Sequence, residues 1–128
     1  MLEKVFYATV LVSDQDRALD FYTDKLGLVK LVDRPTPDGP RFLTVGAKGD
    51  EFMLVLWPGT PGEAAPAMGA PPALITIVTD DVRASIEELS ARGVEFVSDV
   101  IEIQDIKLVQ FVDPDGNRLQ LREGPIEL

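Results

Sequence analysis

The sequence predicts an α+β fold built from two copies of a β-α-β-β-β module. Each half of the chain contains short stretches of alternating apolar and polar residues together with one helical pattern. The signals that bound the helices recur: Asp14 and Asp81 lie 67 residues apart, and Gly27 and Gly93 lie 66 apart. One such module has too little core to be stable alone, so two modules must pair, within the chain or across a dimer.

The first module is predicted at residues 1–57. Its first strand, residues 5–12, is rich in β-branched and aromatic residues, and alternation places Tyr7 and Thr9 on one face. Ser13 or Asp14 is expected to cap the helix that follows, and Gly27 to end it. The other strands of this module are expected at residues 28–33, 41–46 and 52–57, with a Pro/Gly-rich loop at residues 34–40.

A connector is predicted at residues 58–72, because five prolines and three glycines in this stretch exclude a helix or a central strand. The second module is predicted at residues 73–128. Asp80 or Asp81 is expected to cap its helix. Its strands are expected at residues 74–79, 95–97, 100–103, 107–112 and 117–122.

The last two strands of the second module flank the turn Asp113-Pro-Asp-Gly-Asn117, which contains five turn-forming residues in succession. After it, alternation places Leu119 and Leu121 on one face of the final strand. Arg118, Gln120 and Arg122 then project from the other face, which is the side that could line a cavity.

Composition narrows the possible partners. The net charge of −10 argues against nucleic acid and anionic membranes, both of which require a basic surface. The sequence shows no apolar run long enough to span a membrane and no pattern of a signal peptide. The absence of cysteine fits a cytoplasmic protein.

Three stretches carry a resemblance to a known family: residues 10–28, 80–96 and 111–121. In combination they resemble the vicinal oxygen chelate superfamily, which includes glyoxalase I, extradiol dioxygenases, and bleomycin and fosfomycin resistance proteins. The resemblance covers nearly the whole chain. It implies a single domain, residues 1–128, in which two βαβββ modules with curled mixed sheets surround a shared cavity, usually in a homodimer.

Enzymes of this superfamily hold a divalent metal in that cavity through His, Glu or Gln on the first and last strands of both modules. Carried over to this sequence, the four positions are Tyr7, Leu54, Leu74 and Gln120. Leucine offers no lone pair, and a phenol and a neutral amide are poor ligands for first-row metals. The chain also contains no histidine. We therefore predict no metal, no cofactor and no catalytic residue.

The predicted cavity lining is mostly apolar with a few hydrogen-bonding groups, as is usual for small-molecule sites. It comprises Tyr7, Thr9, Leu54, Leu56, Leu74, Thr76, Leu108, Gln110 and Gln120, with Phe42 and Trp57 at the rim. If open, it suits an uncharged or weakly cationic aromatic or amphipathic molecule. These side chains could equally fill the interior and leave no cavity.

The leading functional hypothesis is a metal-free protein that binds or sequesters a small hydrophobic or aromatic molecule, as bleomycin resistance proteins do. The first alternative is a lyase or dioxygenase of the same superfamily that uses non-standard metal ligands. The second is a structural or interaction protein with a closed core.

Overall fold

A computed structural model describes residues 1–59 and 75–125, and the chain separates into two compact units, Met1–Glu63 and Ala64–Leu128. In unit 1, strand β1 is followed by helix α1, which continues as a π-helical segment, and then by three strands. The elements are β1 (Tyr7–Val12), α1 (Gln15–Asp20), the π-helical segment (Phe21–Lys25), β2 (Val29–Thr36), β3 (Gly39–Gly46) and β4 (Met53–Pro58). Their sheet has the order β1-β4-β3-β2, with β1 parallel to β4 and the other pairs antiparallel.

Unit 2 repeats this order of elements. It contains β5 (Ile75–Val78), α2 (Val82–Ala91), β6 (Glu95–Phe96), β7 (Ile101–Ile103), β8 (Ile106–Val112) and β9 (Arg118–Glu123). The sheet has the order β5-β9-β8-β6, and β5 is parallel to β9. Strands β6 and β7 both pair with β8, so together they occupy the position that β2 has in unit 1. The predicted α+β fold with two mixed sheets is confirmed.

Both helices begin and end at the residues that the sequence indicates. Asp14 and Asp81 are the N-caps, and their carboxylates accept hydrogen bonds from the backbone N–H of Arg17 and Ala84. Gly27 and Gly93 adopt the left-handed conformation, with φ of 81° and 92°. The choices left open between Ser13 and Asp14, and between Asp80 and Asp81, are thereby settled.

Each helix covers one face of its own sheet. In unit 1, Arg41 on β3 reaches α1, where its Nη2 lies 2.7 Å from Asp16 Oδ1, and its Nε lies 3.3 Å from Asp33 Oδ1 on β2. The hydrogen bond to Asp16 raises the pKa of Arg41 above its ordinary value. In unit 2, the backbone N–H of Val82 donates to Glu123 Oε1 at 2.8 Å, which fixes the start of α2 on β9.

The hydrophobic core of each unit lies between this helix and this face of the sheet. In unit 1 the buried side chains include Val10, Val12, Ala18, Tyr22, Leu43, Val45, Leu54 and Leu56. In unit 2 they include Val82, Leu89, Val109, Phe111, Leu119 and Leu121. No helix in the described ranges is both long enough and apolar enough to cross a membrane.

The prediction of a loop at residues 34–40 is wrong. Strand β2 runs to Thr36 and β3 starts at Gly39, so only Pro37 and Asp38 form the turn. Proline is tolerated here because β2 is an outer strand, and Pro35 falls at an irregularity of the register between Arg34 and Thr36. The connector predicted at residues 58–72 lies outside the described residues, except for Pro58 and Gly59.

The turn between β8 and β9 is organised by the carboxylate of Asp113, which is only 4% exposed. Its Oδ1 accepts hydrogen bonds from the backbone N–H groups of Asp115 and Asn117, at 2.9 and 2.8 Å. Its Oδ2 accepts from Asn117 Nδ2 at 2.8 Å. One buried side chain therefore satisfies three donors and fixes the register of the two strands.

We expect Asp113→Ala to lower the free energy of unfolding by about 2–3 kcal/mol, because it leaves buried donors without an acceptor. Urea denaturation followed by circular dichroism measures this loss. The matched control is Asp38→Ala, which removes an exposed aspartate from the β2–β3 turn and should change stability by less than about 0.5 kcal/mol. Equal losses for the two variants would contradict the role given to Asp113.

Candidate functional site

The face of the unit 1 sheet that does not meet α1, here called the helix-free face, carries the predicted aromatic residues. Direct partners across neighbouring strands have their side chains on the same face. Tyr7 pairs with Met53 and Thr9 with Val55, and Val55 also pairs with Thr44 on β3. Alternation along β3 and β4 adds Phe42 and Trp57 to this face. Tyr7 and Thr9 therefore share a face, as alternation predicts, and the predicted rim residues Phe42 and Trp57 stand on the same face.

Tyr7 and Phe42 meet above this face. Tyr7 stands on β1 and Phe42 on β3, with β4 between them, so the two residues are not cross-strand neighbours. Their ring centroids are nevertheless only 6.0 Å apart, in an edge-to-face arrangement. The two side chains therefore lean toward each other over β4.

The helix-free face of unit 1 varies in exposure along its length. Met53 and Val55 are 8% and 3% exposed, whereas Tyr7 is 46% exposed and Thr9 is also exposed. Phe42 and Trp57 are half-buried. Surface accessible to a ligand is consequently found at Tyr7, Thr9, Phe42 and Trp57, while β4 provides a buried apolar floor.

The prediction that Leu54 and Leu56 share the face of Tyr7 is wrong. Leu54 pairs with Ala8 and Leu56 with Val10, on the face that packs against α1. The counterpart of Gln120 in unit 1 is Val55, because Val55 pairs with Thr9 just as Gln120 pairs with Thr76. The offset of the last strands is thus 65 residues rather than 66, and a slip of one residue exchanges the faces of a strand.

In unit 2 the predicted polar residues form a row across three strands. Thr76 on β5 pairs with Gln120 on β9, which pairs with Gln110 on β8. Gln120 Nε2 donates to Thr76 Oγ1 at 3.2 Å. Leu108 lies two residues before Gln110 and therefore on the same face. These four residues therefore share one face of the sheet, whereas Leu74 lies outside the described residues.

Two residues that the predicted lining omitted also stand on this face. Arg118 and Arg122 flank Gln120 on β9, and Arg118 Nη1 donates to Gln110 Oε1 at 2.9 Å. This is the helix-free face of unit 2, since Glu123, which meets α2, points to the opposite side. Alternation along β9 indicates the side on which both arginines lie, and their positive charge disfavours the weakly cationic form of the expected uncharged or weakly cationic ligand.

Comparisons with known proteins identify the family. A family model described as the Glyoxalase/Bleomycin resistance protein/Dioxygenase superfamily matches residues 4–121. The chain is 31% identical over 123 residues to YetH, an uncharacterized protein of Bacillus subtilis (strain 168), across 96% of this chain and 100% of YetH. The chain belongs to this superfamily.

Two solved structures show the same fold. TnmS3, an antibiotic binding protein from Streptomyces sp. CB03234, has a TM-score of 0.79 and 33% identity, covering 97% of this chain and 98% of TnmS3. A superfamily member from Sphaerobacter thermophilus DSM 20745 has a TM-score of 0.79 and 32% identity, covering 95% of this chain and 98% of the Sphaerobacter chain.

The residues present do not fit the divalent metal of the superfamily's enzymes. With the register corrected, the described strand positions hold Tyr7, Val55 and Gln120, and the amide nitrogen of Gln120 already donates to Thr76. A phenol, an isopropyl group and a neutral amide do not make a site for a first-row metal. Within the two described ranges, no three His, Cys, Asp or Glu side chains gather as ligands would.

We expect single cysteines to report the faces of β1 directly, because the chain contains none of its own. Thr9→Cys should react with dithiobis-nitrobenzoate at least about tenfold faster than Val10→Cys, since Thr9 is exposed and Val10 is only 6% exposed. In denaturing urea the two variants should react at equal rates, which provides the control. Equal rates in native buffer would show that the assignment of the faces is wrong.

Proposed function

We propose that this protein binds, and thereby sequesters, a small hydrophobic or aromatic molecule without the help of a metal. The observation that carries the proposal is the Tyr7–Phe42 pair above the apolar floor of β4. Exposed or half-buried aromatic side chains that converge on one face offer stacking contacts to a planar ligand. The likeness to TnmS3, which is an antibiotic binding protein, supports this class of function.

Binding is favoured over catalysis by the chemistry of the two helix-free faces. On β1, β3, β4, β5, β8 and β9 these faces carry aromatic and aliphatic groups, a thioether, threonine hydroxyls, amides and guanidinium groups. The carboxylate of Glu95 stands on the outer strand β6, and no carboxylate, thiol or imidazole is present among the predicted site residues. A general base with a pKa near neutrality is therefore missing from these positions. The alternative of a superfamily enzyme with non-standard metal ligands would need donors from elsewhere in the chain.

One observation favours the second alternative, a closed core. Val55 and Met53 are buried although they stand on the helix-free face of unit 1. This part of the face is filled, and a ligand site there would be restricted to the exposed Tyr7 and Thr9 and the half-buried Phe42 and Trp57. The binding experiment below distinguishes the two functions, because a protein with a closed core would show no saturable binding.

Trp57 is the only tryptophan of the chain, so its fluorescence reports directly on unit 1. We expect the uncharged fluorophore N-phenyl-1-naphthylamine to quench Trp57 in a saturable manner. Tyr7→Ala and Phe42→Ala should each weaken the affinity about five- to twentyfold, through lost aromatic contact. Trp57→Phe should abolish the quenching while the probe still reports binding by its own emission.

The matched control for these variants is Phe52→Ala. Phe52 is 38% exposed and directly precedes β4, where alternation places it away from the face of Met53 and Tyr7. Its removal should leave the affinity within about twofold of wild type. Equal losses for Phe52→Ala and Tyr7→Ala would locate the binding elsewhere, and the absence of saturable binding would favour the closed core.

Elemental analysis tests the alternative of a metalloenzyme. Protein purified without chelator should contain far less than one equivalent of zinc, nickel, iron or manganese per chain, because the strand positions supply no suitable donors. The control is a superfamily glyoxalase purified in parallel, which should retain its metal. A stoichiometric divalent ion in this protein would overturn the proposal in favour of the enzyme.

The proposal includes assembly as a homodimer and a cytoplasmic location. The dimer follows from the resemblance to the superfamily, and the location from the cysteine-free composition. Light scattering after size-exclusion chromatography measures the mass in solution, and a mass of one chain, 14.0 kDa, would exclude the dimer under those conditions.

A further inference from the structure

Arg122 occupies an unusual position for a charged side chain. It rises from β9, which lies inside the unit 2 sheet between β5 and β8, and it is half-buried. Its direct partners on the same face are Leu108 and Val78, and Leu108 pairs in turn with Ile101. The guanidinium group thus belongs to a row that is otherwise entirely apolar.

Arg122 has no ionic or hydrogen-bonding side-chain partner among the described residues. Other arginines of the chain are engaged: Arg41 with Asp16 and Asp33, Arg83 with Glu102, Arg92 with Glu88, and Arg118 with Gln110. Arg34 is also without such a contact, but it is exposed on an outer strand, where water solvates it. A half-buried guanidinium group loses part of that solvation, and an anion would restore the lost interactions.

The charges nearby do not neutralise Arg122. Along β5, β8 and β9, the residues on the helix-free face of unit 2 include two arginines and no carboxylate. They are Thr76, Val78, Leu108, Gln110, Val112, Arg118, Gln120 and Arg122. Glu95, the partner of Val112, stands on the outer strand β6 and is exposed. Although the chain carries a net charge of −10, this face is locally positive.

We propose that Arg122 binds the carboxylate of a small amphipathic molecule. A planar guanidinium group donates two parallel hydrogen bonds to a carboxylate, which is the anion that best matches its geometry. Val78 and Ile101 are 53% and 52% exposed, so they offer apolar contact to the rest of the molecule on either side of the charge. The carboxylate site rests on the proposed binding function. It replaces the expected uncharged or weakly cationic ligand with an anionic one.

A pair of probes that differ only in charge tests the proposal. By isothermal titration calorimetry, the protein should bind 2-naphthoate about tenfold more tightly than the neutral 2-naphthamide. Arg122→Met should remove this preference by weakening the binding of 2-naphthoate about tenfold, with a change of less than about twofold for 2-naphthamide. Arg122→Lys, which keeps the charge but loses the planar fork, should show an intermediate affinity for 2-naphthoate.

The matched control is Arg83→Met on α2, which removes the same charge from an exposed site and should leave both affinities within about twofold of wild type. The carboxylate site is overturned if wild type binds the two probes equally, or if Arg122→Met loses the same factor of affinity for both. In either case the proposed binding function stands. Failure of wild type to bind 2-naphthoate would overturn the site as well. The Trp57 titration with the uncharged fluorophore then decides separately whether the proposed function survives.

Discussion

The candidate site depends on the parallel pairing of the first and last strands in each unit. This pairing brings Thr9 beside Val55 and Thr76 beside Gln120, although about 45 residues separate the members of each pair along the chain. Since the helix of each unit covers one face, all side chains of functional interest are directed to the other. Both sheets therefore have the same arrangement of strands, but the side chains on their helix-free faces differ. They are aromatic in unit 1, and amides and guanidinium groups in unit 2.

The local signals of the sequence predicted most of the fold because each has a simple physical origin. Carboxylates at Asp14 and Asp81 satisfy free N–H groups at the helix starts, and Gly27 and Gly93 tolerate the positive φ that ends a helix. Alternation placed Tyr7, Thr9, Thr76 and Gln120 on the correct faces. These predictions depend only on residues that are close together in the chain.

The errors arose where one local irregularity changed the register. The helix of unit 1 is one residue longer between its cap and its glycine, and the π-helical segment Phe21–Lys25 absorbs that residue. A second extra residue lies between Gly27 and Val55, where β2 has two irregularities in its pairing with β3. A constant offset cannot detect such insertions, and it therefore points to Leu54 in place of Val55. Composition alone does not predict the proline-rich hairpin, because it does not reveal that β2 is an outer strand.

The interruptions of the outer strands have a consequence for aggregation. In unit 1, β2 is bent by its two irregularities, and in unit 2 the corresponding strand is divided into β6 and β7. Between them, Ser98 Oγ replaces a backbone carbonyl by accepting a hydrogen bond from the N–H of Gln110 at 2.9 Å. A regular outer strand presents a continuous row of free N–H and C=O groups, which can recruit a strand of another molecule. These broken edges offer no such template, so the same irregularities that obscure the register also protect this side of each sheet from edge-to-edge pairing.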